Sequence, residues 1–234
     1  MKLKKINKIE LRIAFDGFSA SGISLGAKLI SKKYNLKLLN SGLLYRYAAF
    51  LLLKNKPIKK IPFLKKKFSK LNYKNLTSLN LHSEKISTYS SIIAKEKKVR
   101  LVLKKYQKRF AKKFNRIAIE GRDISTKILN QNPRYDVSFF FKCNLKTASY
   151  RRWKDLKTSN RQIAFNEVKK SLKKRNELDV KRRFSPLIQT KDSIIIRTDI
   201  LNKKEMVDKM SKKINEKLFL KYGRNIKRKK KRGT

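Results

Sequence analysis

The stretch ELRIAFDGFSASGIS, residues 10–24, sets the architecture of the chain. Glu10 to Phe15 form a short apolar run typical of a buried strand, and Gly17 to Gly22 form a loop of glycine and serine. From Gly26 to Tyr34 the apolar residues recur at helical spacing. A strand, a glycine loop and a helix in this order are the setting that a GxxxxGK[ST] phosphate loop requires.

The loop from Gly17 to Ser24 keeps the glycine spacing of that motif but has Ile23 in place of the lysine. In a phosphate loop, backbone N–H groups and the helix N-terminus attract a phosphate, and a serine hydroxyl such as that of Ser24 reaches Mg²⁺. The missing lysine is the cation that neutralises the transferring phosphate. On spacing alone, both a structural turn and a phosphate loop fit this segment.

Outward from this loop, apolar strands alternate with helical segments. Further strands are predicted at Leu36–Leu39, Arg116–Glu120, Val137–Phe141 and Asp192–Thr198. Helices are predicted at Leu43–Leu53 behind the cap Asn40-Ser41-Gly42, across His82–Phe114, as a pair within Leu145–Leu178, and at Lys203–Leu220, with a break at Pro57 and Pro62. This alternation predicts an α/β fold with a parallel sheet covered on both faces.

Composition excludes several classes of protein. The 234 residues are 40% hydrophobic, enough to bury a core, and we expect residues 1–224 to form a single domain. No apolar stretch approaches the roughly 18 residues of a membrane span, so we expect no membrane partner and a cytoplasmic location. The sequence has one cysteine, Cys143, and one histidine, His82. One cysteine cannot form an internal disulfide, and one of each is too few for a Cys/His zinc site.

The net charge of +49 attracts phosphates but does not choose among nucleic acid, anionic membranes and small nucleotides. A compositional bias toward lysine explains the spread of charge equally well. The basic run of residues 225–234 is different, because a block of like charges repels itself. We expect this tail to be disordered and to make a weak nucleic-acid contact.

Three motifs stand at successive predicted strand ends: DGFSASGISL at residues 16–25, NSGLLYR at 40–46 and EGRDIST at 120–126. Together with Arg175, Asp179, Arg182 and Pro186-Leu187, this ordered series resembles the bacterial cytidylate kinases, the (d)CMP kinases of the nucleoside monophosphate kinase group, over about residues 9–220. The family pattern DGPxxSGK[GS]T has lost its Pro, Lys and Thr here, and Ser125 replaces the second Gly of GRDIGT.

The resemblance implies a P-loop NTPase-type three-layer sandwich with a five-stranded parallel sheet. It also implies a helical CMP-binding insertion at about residues 54–113, a mobile lid at about 150–183, and a monomer. The residues expected to hold CMP are Ser41, Arg46, Ser91, Arg100, Arg122, Asp123, Asp179 and Arg182. Planar Arg46, Arg100 and Arg122 suit bidentate contacts to the acceptor phosphate, whereas Ser91 with Asp123, and Asp179 with Arg182, suit the base and sugar edges.

The same resemblance assigns the donor side. Residues Gly17, Phe18, Ser19, Ala20, Ser21, Gly22, Ile23 and Ser24 are expected to bind the phosphates of ATP, with Ser24 on Mg²⁺. Catalytic roles are expected for Arg122, Arg151, Arg152 and Arg175. Glu120 ends its strand where it either acts on Mg²⁺ through water or caps the core.

These expectations lead to a cytidylate kinase that makes CDP or dCDP from ATP and CMP or dCMP, with activity reduced by Ile23. The alternative is a non-catalytic descendant of the fold that binds a nucleotide or RNA. A nucleic-acid-binding domain unrelated to kinases leaves the ordered motifs unexplained.

Overall fold

The computed structural model describes residues 9–76, 78–158 and 163–223. The strands are β1 Leu11–Gly17, β2 Lys37–Asn40, β3 Arg116–Gly121, β4 Val137–Lys142 and β5 Ile194–Arg197. They form one sheet in the order β2-β3-β1-β4-β5, and every pairing is parallel. The predicted five-stranded parallel sheet is confirmed.

The helices connect these strands across both faces of the sheet. They are α1 Ile23–Lys33, α2 Ser41–Asn55, α3 Lys60–Ser69, α4 Glu84–Ile93, α5 Lys97–Lys113, α6 Leu145–Lys157, α7 Phe165–Lys181 and α8 Lys203–Leu218, with short helical turns at Tyr73–Leu76, Ile124–Ile128 and Phe219–Gly223. The predicted tail at residues 225–234 lies outside the described residues. None of the helices in the described ranges is long and apolar enough to cross a membrane.

Strand β1 is the central strand of the sheet. Its alternate residues therefore face two different cores, one on each side of the sheet. Ile13 and Phe15 pack into a cluster with α1 and α8, and Phe15 stacks on Phe139 of β4 with ring centroids 5.5 Å apart. Ala14 faces the opposite cluster, built with α2, α3 and α5. Each face of β1 is therefore covered by helices, as the apolar composition of the strand predicts.

Helices α3, α4 and α5 form the helical segment between α2 and β3. Leu64 and Phe68 of α3 pack with Val99 and Leu103 of α5 in the cluster that also covers the sheet. The predicted break is confirmed at Pro57, which lies between α2 and α3, but Pro62 lies in the first turn of α3 and does not interrupt it. A proline there removes only an N–H that has no helical partner, so the helix accepts it.

Candidate active site

The loop after β1 requires glycine at two of its positions, Gly17 and Gly22. Gly22 lies at φ 78°, in the left-handed region that glycine enters without strain. A Cβ on Gly17 would stand 2.6 Å from the Cβ of Phe141, so β4 passes too close for any side chain there. The hydroxyl of Ser21 donates to the carbonyl of Phe18 at 2.7 Å and closes the loop on itself.

The loop leads directly into the N-terminus of α1. Gly22 is the residue before the helix, and no side chain caps the N–H groups of the first turn. Uncapped N–H groups at a helix N-terminus carry partial positive charge and bind anions. On the outer side, the hydroxyl of Thr198 donates to the carbonyl of Ser21 at 2.9 Å and fixes the loop beside β5. The arrangement fits a phosphate better than a plain structural turn.

Ile23 is not at the surface of this loop. Its side chain is 6% exposed and packs in the core cluster under α1 and α8. The position that would carry the loop ammonium is therefore occupied by an apolar group that faces away from solvent. A cation acting on a phosphate at this loop would have to come from another part of the chain.

The side chains of Ser24 and Glu120 meet next to the loop. The Ser24 hydroxyl donates to Oε2 of Glu120 at 2.6 Å, and Glu120 is 4% exposed at the end of β3. Burial raises the pKa of Glu120, whereas the Ser24 hydrogen bond and the charge of Arg122 oppose that shift. A hydroxyl and a carboxylate together are the hard oxygen ligands that Mg²⁺ prefers, so the residues present fit this ion.

A cleft beside the loop collects all eight residues expected to hold CMP. They come from α2, α4, α5, the end of β3 and α7 or its C-terminus, and they converge on one concavity. Ser91 lines it from α4, where its hydroxyl donates to the carbonyl of Ser87 at 3.2 Å. The expected residues in the lining are Ser41, Arg46, Ser91, Arg100, Arg122, Asp123, Asp179 and Arg182, and they are joined by Tyr45, Lys95, Arg175 and Leu178.

Arg100 and Asp123 form the buried wall of this cleft. The Nη2 atom of Arg100 donates to Oδ2 of Asp123 at 2.6 Å, and its Nη1 atom donates to the carbonyl of Ala94 at 3.0 Å. The ring of Tyr45 lies 5.4 Å from the guanidinium carbon of Arg100. This ion pair places the guanidinium of Arg100 and the carboxylate of Asp123 side by side on one edge of the cleft.

Asp179 links three parts of the site. It accepts from Nε of Arg122 at 3.0 Å and from Nη1 of Arg182 at 2.9 Å. The Nη2 atom of Arg122 also donates to the hydroxyl of Ser19 at 3.1 Å. Arg122 therefore lies between the cleft and the loop, where its positive charge is close to both.

Further guanidinium groups stand near Arg122 without carboxylate partners in the described part of the chain. Arg46 donates to the carbonyl of Leu81 at 3.1 Å, and burial, with the charge of Arg152, lowers its pKa. Arg175 is exposed along the cleft, yet the protein walls around it, together with the charge of Arg122, lower its pKa to about 10. A polyanion bound here would relieve this concentration of positive charge.

The structure separates the expected catalytic arginines. Arg122 and Arg175 line the cleft, and Arg152 is close enough to act on the pKa of Arg46 and Arg175. Arg151 does not line the cleft. It donates from Nη1 to the hydroxyl of Thr198 at 3.0 Å and from Nη2 to the Thr198 carbonyl at 2.6 Å, which holds it on the outer flank of the loop.

Two polar residues that the sequence did not single out contact the loops of the site. Asp16 accepts from the N–H groups of Ile124 and Ser125, both at 2.8 Å, and from the Ser125 hydroxyl at 2.6 Å. Burial raises the pKa of Asp16 to about 6, although these hydrogen bonds favour the carboxylate. Asn176 of α7 accepts from the N–H of Ser19 at 3.0 Å. The position of Asp16 at the start of the glycine-loop motif could have indicated a role for it. No pattern in the sequence indicates a role for Asn176.

Solved structures with this fold include kinases. The shikimate kinase of Bacteroides thetaiotaomicron superposes with a TM-score of 0.50 at 11% identity, covering 88% of this chain and 98% of that one. An uncharacterized protein of Eubacterium ventriosum gives a TM-score of 0.53 at 16% identity, covering 88% of this chain and 99% of that one. The parallel sheet with its glycine loop at the carboxyl edge is the fold of the P-loop kinases.

The family follows from the sequence match. The family model for cytidylate kinase matches residues 13–216, and the chain belongs to this family of nucleoside monophosphate kinases. A cytidylate kinase of Mesomycoplasma hyopneumoniae is 33% identical over 231 residues, which cover 93% of this chain and 97% of that protein. A cytidylate kinase of Clostridium botulinum is 31% identical over 218 residues, covering 86% and 96%.

Proposed function

We propose that the protein transfers the terminal phosphoryl group of ATP to CMP or dCMP, giving CDP or dCDP, at a rate reduced by Ile23. The observation that carries the proposal is the convergence of eight acceptor residues on one cleft that Arg122 joins to the glycine loop, with 3.1 Å between its Nη2 atom and the Ser19 hydroxyl. The names of the curated relatives support the same substrate class.

The base end of the acceptor is recognised by Asp123 and Arg100. Cytosine offers an amino donor next to acceptor atoms, and a carboxylate paired with a guanidinium at 2.6 Å presents the complementary pattern. Uracil has a carbonyl where cytosine has the amino group, and that carbonyl faces the carboxylate unfavourably. We therefore assign base discrimination to this pair, with Ser91 beside it, and Arg100 contributes to the base edge instead of the acceptor phosphate.

The phosphate end is held by guanidinium groups that line the cleft or join it to the loop. Arg46 and Arg175 line the cleft, and Arg122 lies between the cleft and the loop. Planar guanidinium groups bind phosphate through two parallel hydrogen bonds. Asp179 holds Arg122 and Arg182 in fixed orientations, so the acceptor meets donors that are already ordered.

The donor end is assigned to the loop and α1. The uncapped N–H groups after Gly22 bind donor phosphate oxygens, and Ser24 with Glu120 holds Mg²⁺. When bound with ATP, this ion neutralises phosphate charge and orients the chain of phosphates. In the transfer, an acceptor phosphate oxygen bonds to the γ-phosphorus and the bond to the bridging oxygen of the leaving ADP breaks.

Ile23 lowers the rate because no ammonium stands at its position. Removing a charged group that acts in the transition state commonly costs about 10²- to 10³-fold in rate. Arg122, Arg152 and Arg175 remain near the acceptor side and supply part of that charge. We also propose that residues 1–224 act as one kinase domain with an acceptor insertion at about 54–113 and a lid at about 150–183.

A coupled assay for CDP formation tests the proposal. We expect ATP-, Mg²⁺- and CMP-dependent turnover by the natural chain, and much less with UMP. No turnover under any condition, combined with CMP binding, would favour the non-catalytic descendant. Salt-sensitive RNA binding that survives deletion of residues 225–234 would favour an RNA-binding role.

A further inference from the structure

Helix α7 contacts the glycine loop through Asn176. Its side-chain oxygen Oδ1 accepts from the backbone N–H of Ser19 at 3.0 Å, across 157 residues of sequence. Ser19 is only 5% exposed, so its backbone N–H has little access to water. The side-chain oxygen of Asn176 thus lies against the loop that the proposed function assigns to donor phosphate.

The N–H groups of such a loop serve to hold phosphate oxygens. A carboxamide oxygen is a neutral acceptor of the same hydrogen bond, so it satisfies the Ser19 N–H when no phosphate is present. The loop does not depend on this contact for its shape, because the Ser21 hydroxyl and Thr198 fix it independently. The Ser19 side chain is also held, by Arg122.

We propose that Asn176 is a positioning residue that competes with the donor phosphate for the N–H of Ser19 and so sets the affinity of the loop for ATP. The inference rests on the proposed function, since it takes the loop to be the ATP phosphate site. Asn176 lies in α7, and Asp179 lies on the adjacent turn of the same helix. ATP that binds at the Ser19 N–H displaces the Asn176 side chain from it, while CMP leaves that contact in place.

The competition sets opposite effects for two substitutions. Asn176→Ala removes the acceptor and frees the N–H, and a hydrogen bond of this kind is worth a factor of about 2 to 10 in affinity. Asn176→Asp puts a carboxylate against the same N–H. A carboxylate is a stronger acceptor than a carboxamide oxygen, and its negative charge repels phosphate. A residue that only supports the structure would weaken ATP binding in both variants.

The experiment is calorimetric titration of Mg·ATP and, separately, of CMP into the full chain and three variants. Asn166→Ala is the matched control, because Asn166 is exposed near the start of the same helix. We expect ATP to bind about 2- to 10-fold tighter to Asn176→Ala, about 10-fold weaker to Asn176→Asp, and unchanged to Asn166→Ala. We expect the CMP affinity of Asn176→Ala to stay within about 2-fold of the natural chain.

Weaker or unchanged ATP binding by Asn176→Ala would overturn the competition, and CDP formation by the natural chain would leave the proposed function standing. ATP binding to neither the natural chain nor any variant would reject both the competition and the donor assignment. Thermal unfolding of each variant checks that it is folded, and a change of ATP affinity confined to Asn176→Asp would also contradict the competition.

Discussion

Replacing Ile23 by lysine restores a cation to the glycine loop, and we expect it to raise the rate of CDP formation. The side chain is 6% exposed in the core under α1 and α8, so the lysine has to leave that cluster to reach the loop. The loss of buried apolar surface costs about 1 to 3 kcal/mol of unfolding free energy. A preorganised charge at the transferring phosphate is worth about 10²- to 10³-fold in rate.

The assay is steady-state CDP formation at saturating ATP and CMP, with urea unfolding measured in parallel. Ile23→Met is the matched control, because it has similar volume and no charge. We expect Ile23→Lys to be less stable but faster by at least about 10-fold, and Ile23→Met to be unchanged in rate. A folded Ile23→Lys variant with no gain in rate, or an equal gain with methionine, would refute the reasoning.

Three further predictions concern the carboxylates. Asp179→Asn leaves Arg122 and Arg182 without their shared partner, and we expect calorimetry to show CMP binding at least about 10-fold weaker; an unchanged affinity would remove Asp179 from the site. Glu120→Gln should raise the Mg²⁺ concentration needed for half-maximal rate by about 10-fold or more, and an unshifted Mg²⁺ dependence would contradict the pairing with Ser24. Asp16 has a pKa of about 6 in the folded chain, against 3.8 for an ordinary aspartate, so the folded chain binds an extra proton between these pH values. Relative to Asp16→Asn, the natural chain should therefore lose unfolding free energy as pH rises from about 4 to 6, by roughly 2 kcal/mol in urea titrations; a gain over this range would refute the raised pKa of this carboxyl.

Much of the fold could be predicted because it depends on local patterns. The apolar runs of five strands and the helical spacing between them were sufficient for a parallel sheet, since these patterns recur with the periods of strand and helix. The predicted break is present at Pro57 but not at Pro62, because the sequence does not reveal that Pro62 falls in the first turn of a helix, where proline is tolerated.

The site was predictable where residues stand in ordered motifs, and less so where side chains meet across the chain. The eight acceptor residues gather in one cleft, but no motif indicated that Arg100 is held by Asp123, the pairing from which we propose that Arg100 serves the base edge. Arg151, for which a role at the phosphate is predicted, donates to Thr198 beside the loop, a contact that no motif indicated. The contact of Asn176 with Ser19 joins residues 157 positions apart, and no spacing rule anticipates it.

The convergence of the acceptor residues is tested most directly by titrating CMP into the natural chain and into Arg182→Ala in the absence of ATP. We expect one saturable CMP site, weaker binding of UMP, and CMP affinity reduced at least about 10-fold in the variant. Strong ATP binding with no CMP binding by the natural chain would contradict the assignment of this cleft.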